Sequence, residues 1–287
     1  MQNIIYEEVT NKIIQELENG AAPWIKPWRS DSSADRNIVS KNEYNGINRL
    51  ILSMMSHFSG YDLPYWGSFK QWQDLGGNVK KGEKGTKIVF YTPVVKENIN
   101  DIGEIEKTGY ACLKTYYVFN ANQVEGIEFE KTSDDSKEFN PIPAIDTKVI
   151  LTGANIKHGG NSAYYTSQGD FIAMPNKTAF NNEVSYYATL LHELTHWSGS
   201  EKRLNRELKN KFGSPKYAFE ELVAELGAAF LCQDYGIQGE LRHAGYIGSW
   251  LTCLKENKDA IFKAAALAQK AVDYIKQLDV INNQIAA

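Results

Sequence analysis

The sequence predicts an α+β protein of two domains, residues 1–128 and 147–287, joined by a linker over 129–146. Three observations carry that prediction. Two runs rich in β-branched and aromatic residues, Ile88–Val95 and Tyr110–Phe119, flank a charged turn around 98–107, a hairpin pattern set among helical ones. Residues 129–146 are polar, hold Pro141 and Pro143, and keep no steady period. After them, short strand patterns lead into long helical blocks, the first of which contains His192-Glu193-Leu194-Thr195-His196.

The elements follow in order. Ile4, Ile5, Val9, Ile13, Ile14 and Leu17 are spaced as one face of a helix that stops at Gly20. Pro23-Trp24 and Pro27-Trp28 open a loop, a second helix is expected near Ile47–Phe58, and a short third over Ser68–Leu75. The hairpin completes the first half. Beyond the linker, Lys148–Leu151 and Phe171–Met174 read as strands, with Tyr164-Tyr165 as another. Three helical blocks close the chain: the one bearing the histidines, Pro215–Tyr235, and Gly245–Lys255 running on into Lys258–Leu278. A small sheet ahead of the helix bearing the paired histidines, with helices after it, resembles the usual arrangement of zincin-type metallopeptidases, whose edge strand normally lies against an extended peptide.

Composition sets the bounds. A chain of 287 residues, 43% hydrophobic and 23% charged, has the material of a soluble globular protein with sizeable cores. Its start, Met-Gln-Asn-Ile-Ile-Tyr, lacks a secretory signal pattern, and no apolar run approaches about 18 residues. The expectation is a cytoplasmic protein with no membrane partner. Cys112, Cys232 and Cys253 are odd in number and widely spaced, which suits a reducing compartment, and the absence of Cys-x-x-Cys argues against a zinc ribbon. A net charge of −4 gives no overall attraction to nucleic acid, so any such binding needs a local patch.

The His-Glu-x-x-His string uses two of only five histidines. Four residues is about one helical turn, so both imidazoles leave one face and can share a metal ion. Glu193 then stands beside the ion, where a carboxylate can take a proton from water. No Pro or Gly interrupts 184–191, and Gly199 follows directly where the helix should end.

Catalytic zinc usually keeps three protein ligands and one open position. Glu221 and Glu225 lie one turn apart on the otherwise apolar block around Leu222, Ala224 and Ala228, where buried carboxylates need a metal or donors. Glu221 is assigned as the third ligand. Glu225 either orients a histidine through its other nitrogen or is itself a ligand. The pair resembles the Glu-x-x-x-Asp element of glutamate-type zincins, with Glu in place of Asp. Glu220, about a hundred degrees around the helix, reads as a solvated edge. His243 and Tyr246 are candidate donors to a tetrahedral intermediate or packing residues, and His158 lines the cleft or is exposed. Zn2+ is the expected ion, with Mn2+ or Co2+ acceptable to the same carboxylate-containing set.

In the first half, Lys70, Lys80, Lys81, Lys84 and Lys87 are interleaved with Trp66, Phe69 and Trp72, against only two acids between 70 and 87. Lysines track phosphates and aromatic faces stack unpaired bases, so this is the pattern of sequence-independent single-strand binding. Trp24, Trp28 and Arg49 fit the same reading. On the residues alone, solvated turns and core tryptophans weigh somewhat more.

With both halves in view, the chain resembles the ArdC-type antirestriction proteins of conjugative plasmids and related mobile elements. The likeness rests on Pro23-Trp24-x-x-Pro27-Trp28, Tyr44-Asn-Gly-Ile-Asn48, Trp66-x-x-Phe69-Lys70-Gln71, Gly76-Gly77-x-Val79-x-Lys81-Gly82-Glu83-Lys84-Gly85 and Val118-Phe119-Asn120-x-x-Gln123-x-Glu125-Gly126. In the second half it rests on Asp170-x-Ile172-x-Met174-Pro175, His192–Trp197, Arg203-Leu204-x-Arg206 and Glu220–Leu226. The resemblance implies a single-stranded-DNA-binding domain joined to a zincin-like metallopeptidase domain that protects transferred DNA from host restriction. It shifts the weight towards single-stranded DNA as partner. A protein substrate, such as a restriction component of the host, is implied but not named.

Overall fold

Helix α1 (Gln2–Glu18) turns Ile5, Ile13, Ile14 and Leu17 inward, as the spacing of its apolar residues requires. The structure is a computed structural model and describes residues 2–19, 34–99, 105–129, 142–180, 182–208, 214–237 and 247–286. After α1 come β1 (Arg36–Asn37), α2 (Gly46–Ser59), β2 (Tyr65–Gly67), α3 (Phe69–Asp74) and β3 (Asn78–Val79). Ser68 and Gln71 form a capping box that starts α3. The long hairpin of β4 (Thr86–Ile99) and β5 (Ile105–Asn120) follows, then β6 (Val124–Glu125). Four strands make a sheet in the order β1-β2-β5-β4, and β3 pairs separately with β6. Thr86 stands opposite Val118 and Ile88 opposite Tyr116 in the hairpin register.

The second half begins with α4 (Ile142–Leu151), then β7 (Asn155–His158), β8 (Tyr164–Thr166) and β9 (Phe171–Met174) in a three-stranded sheet ordered β7-β9-β8. Four helices complete it: α5 (Glu183–Ser198), α6 (Pro215–Asp234), α7 (Ile247–Glu256) and α8 (Ala260–Ala286). This is an α+β fold with two domains. One expectation is corrected: Lys148–Leu151 is the end of helix α4, not a strand. A short apolar run carries no period that separates strand from helix. Here Ile145 and Val149 bury while Thr147 between them is exposed, the pattern of a helix face, since a strand would turn all three to one side. The helix also begins inside the stretch read as linker.

One continuous apolar cluster draws on both halves. It takes Ile13 and Leu17 from α1, Leu50 and Met54 from α2, Leu222 and Leu226 from α6, Trp250 from α7, and Ala264, Ala268 and Val272 from α8. The alanines of α8 let the neighbouring helices lie close. Among the described residues no helix is long and apolar enough to cross a membrane.

Candidate metal centre and its supports

Helix α5 is capped by Asn182, whose side chain accepts from the Ser185 amide, and is anchored by buried Tyr186, Tyr187, Leu190, Leu191 and Leu194. Helix α6 starts at the Ser214 cap with Pro215 in its first turn, and every residue from Glu220 to Gln233 is buried. The two helices cross where Gly227 of α6 meets Thr195 of α5. A Cβ on Gly227 would lie 2.5 Å from Thr195 Cγ2, so the close approach depends on its having no side chain. That crossing sets the histidines of one helix against the carboxylates of the other.

His192 Nε2 lies 3.5 Å from Glu221 Oε2, and His196 Nε2 lies 3.5 Å from Glu221 Oε1. One ligand atom from each of the three residues lies within 4.8 Å of the other two. Ligands about 2.1 Å from a tetrahedral ion would stand roughly 3.4 Å apart, so the donor set fits a divalent metal. Each imidazole also has a carboxylate at its other nitrogen. Glu225 Oε2 is 3.3 Å from His192 Nδ1, and Glu220 Oε1 is 3.1 Å from His196 Nδ1.

The electrostatics follow from this crowding. Burial alone would lower the His192 imidazole, but Glu221 and Glu225 carry it well above its ordinary value. His196 is likewise lowered by burial and then raised to about 9 by Glu220 and Glu221. Burial raises the Glu221 carboxyl, yet the two imidazoles hold it far below the usual carboxylate range. The pocket demands positive charge. Two imidazolium ions would meet that demand, and so would one metal ion with neutral histidines.

Glu193 shares a cavity of about 380 Å3 with His192, His196 and Glu221. Ala163, Tyr164 and Tyr165 line its other side, which places the edge strand β8 along the opening. Tyr217, one turn before Glu221 on α6, lines it too.

Several expected residues fall elsewhere. Glu220 is corrected from a solvated edge to a buried carboxylate, 8% exposed, because α6 is covered on all sides. Arg206 reaches it with Nη2 at 2.8 Å from Oε1 and with Nε at 3.2 Å from both oxygens. Arg49 is corrected from a DNA contact to a buried tie. It meets Gln233 Oε1 at 2.7 Å, the Phe230 carbonyl at 2.9 Å and Asp234 Oδ1 at 2.5 Å. Trp72 is fully buried and donates from Nε1 to the Phe119 carbonyl, so it has no free face for a base. Lys70, Lys80, Lys81 and Lys84 are exposed, whereas Lys87 is half-buried against Glu8. His158 is exposed, with its Nε2 2.8 Å from the Tyr186 hydroxyl. Asn48 pairs with both backbone groups of Val89, stitching α2 to β4. Trp24, Trp28, His243 and Tyr246 lie outside the described residues.

The arrangement has a solved counterpart. The crystal structure of the metal-free antirestriction ArdC protein from the R388 plasmid is 38% identical, with a TM-score of 0.81 over 96% of this chain and 98% of that one. The chain belongs to the ArdC antirestriction family. Its residues 3–119 match the N-terminal domain of the anti-restriction factor ArdC, and residues 143–267 match a zincin-like metallopeptidase. A second crystal structure of the R388 ArdC protein, with Mn(II) bound, aligns at 37% identity and a TM-score of 0.78. The ArdC likeness extends to an uncharacterised protein, y4eC, of Sinorhizobium fredii, 37% identical over 98% of this chain and 95% of that protein. DNA primase TraC of Escherichia coli is 33% identical over 94% of this chain, which spans only 27% of that primase.

Proposed function

We propose that this ArdC-family protein binds single-stranded DNA without regard to sequence and carries a metal-dependent peptidase site, protecting transferred DNA from restriction in the recipient cytoplasm. The observation that carries the reading is Glu193 in the same cleft as three convergent ligand atoms, beside an open strand edge. His192, His196 and Glu221 would hold the ion, with Zn2+ first and Mn2+ or Co2+ as alternatives, and Glu225 would orient His192 from behind. The ion would supply Lewis acidity, polarising a carbonyl and making a nearby water more acidic. Glu193 takes the proton of the attacking water and returns it to the departing amine. Strand β8 accepts an extended peptide by backbone pairing, which fixes the scissile bond against Glu193. The protein substrate would be a component bound to, or acting on, the incoming strand.

Single-strand binding draws support from exposed Lys70, Lys80, Lys81 and Lys84, with half-exposed Phe69, Tyr116 and Tyr117 as stacking faces in place of Trp72. Those same residues favour a second reading, a DNA-masking protein whose metal is structural. Plasmid transfer into a restricting host separates the two. Glu193→Ala should fail to protect while still binding single strands. Full protection by that variant, with loss on neutralising Lys80, Lys81 and Lys84, would establish masking instead.

A further inference from the structure

Resting on the metal-site reading above, we infer that Glu220 and Arg206 form a positioning pair that holds His196 for the ion, and that the segment after α5 folds to deliver the arginine. Glu220 and Glu221 are neighbours on α6, so their side chains diverge by about a hundred degrees. The His196 ring sits between them, with Glu221 3.5 Å from Nε2 and Glu220 3.1 Å from Nδ1. A carboxylate at Nδ1 keeps a proton there and leaves the Nε2 lone pair for the metal.

Glu220 is buried and needs a partner of its own. Arg206 meets both of its oxygens, so the pair orients His196 without adding net negative charge to the pocket. The same guanidinium donates to the Thr195 carbonyl at 2.7 Å and to Ser198 Oγ at 3.1 Å. Thr195 belongs to the last turn of α5, whose carbonyls lack a main-chain amide partner within the helix, and its carbonyl accepts from Ser198 Oγ at 2.6 Å as well as from Arg206. Arg206 therefore grips the turn that carries His196 and the carboxylate that faces it.

The intervening chain is shaped for this. Arg206 donates its amide back to the Gly199 carbonyl at 2.8 Å, and Leu204 donates to Ser198 at 3.0 Å. Asn205 takes a left-handed conformation, φ 49°, to close the loop. Gly199 has an ordinary φ of −80°, so its backbone does not demand glycine. A side chain there would displace the guanidinium, because a Cβ would lie 2.6 Å from Arg206 Nη2. Arg203, earlier in the loop, stacks on Trp197 and pairs with Asp170, tying the loop to the turn between β8 and β9.

The test is metal binding, measured with Zn2+ against a chromophoric chelator and with Co2+ by visible absorption. Glu220→Gln should weaken Zn2+ binding about tenfold to a hundredfold and alter the Co2+ spectrum. The metal-free variant should keep its circular dichroism and its affinity for a single-stranded oligonucleotide. Wild-type affinity together with an unchanged Co2+ spectrum in Glu220→Gln would overturn the inference and leave the metal site standing. A wild-type protein that binds neither ion would overturn both. If Glu220→Gln does not fold, Arg206→Lys decides: it keeps the charge and loses the fork. Weakened Zn2+ binding supports the pair, and undiminished binding removes it.

Discussion

Glu193 is one residue from a metal-ligand candidate, yet the proposed mechanism gives it a separate task, and that separation makes it the sharpest probe of the proposal. Glu193→Gln should lower peptide cleavage by about 10²–10⁴-fold, the usual worth of a general base, while metal content and DNA affinity stay at wild-type values. Retained cleavage would remove Glu193 from the mechanism. The first half offers a contrasting pair. Replacing Lys80, Lys81 and Lys84 with Ala should weaken single-strand binding and flatten its salt dependence, by about 0.7 in the log–log slope for each phosphate that is no longer neutralised. Trp72→Ala should instead cost about 3–5 kcal/mol of stability, seen as a lower melting temperature, because the ring is packed and its Nε1 is bonded to Phe119. His192, Glu193 and His196 could be read directly from the sequence because one helical turn fixes their relation. Trp72 and the lysines could not be told apart, since the same alternation serves a core edge and a binding face.

At the scale of the element, the site is a property of how α5 and α6 cross. Gly227→Ala would push a methyl against Thr195, a strain of about 1–3 kcal/mol that outweighs the gain of up to ~1 kcal/mol in helix propensity. Its melting temperature and its Zn2+ affinity should fall together, because the histidines and Glu221 sit on opposite sides of that crossing. Adding Thr195→Ala should recover most of both. A Gly227→Ala protein with undiminished metal affinity would show that the crossing tolerates separation. A lone glycine inside a helical block was the only signal of this in the sequence. The zincin-like order of small sheet, then helices, was legible because strand and helix periods differ. Helix α4 was misread because Lys148–Leu151 is too short to show either.

Across the whole molecule, the two domains share one core, and Arg49 of α2 is tied to Gln233 and Asp234 at the end of α6. Lys276 of α8 reaches the same Asp234 at 2.8 Å. Arg49→Ala leaves that buried carboxylate with one exposed cation and should cost about 3 kcal/mol. Chemical denaturation should report the loss, with the DNA affinity of the folded variant unchanged. Calorimetry of the wild type should show a single cooperative transition. Two resolved transitions would mean that the shared cluster does not couple the domains.

The sequence by itself determined what is local or repeated: the helix and hairpin periods, the paired histidines with their glutamate, and an ordered set of motifs specific enough to name a family. It could not say which carboxylate meets which nitrogen, or whether an arginine points at DNA or at a helix end. Glu220, Glu221 and Glu225 are alike as residues, and only the crossing of α5 and α6 and the returning loop with Arg206 distinguish them. Those relations join positions far apart in the chain, and packing, which no local pattern encodes, is what brings them within hydrogen-bonding distance.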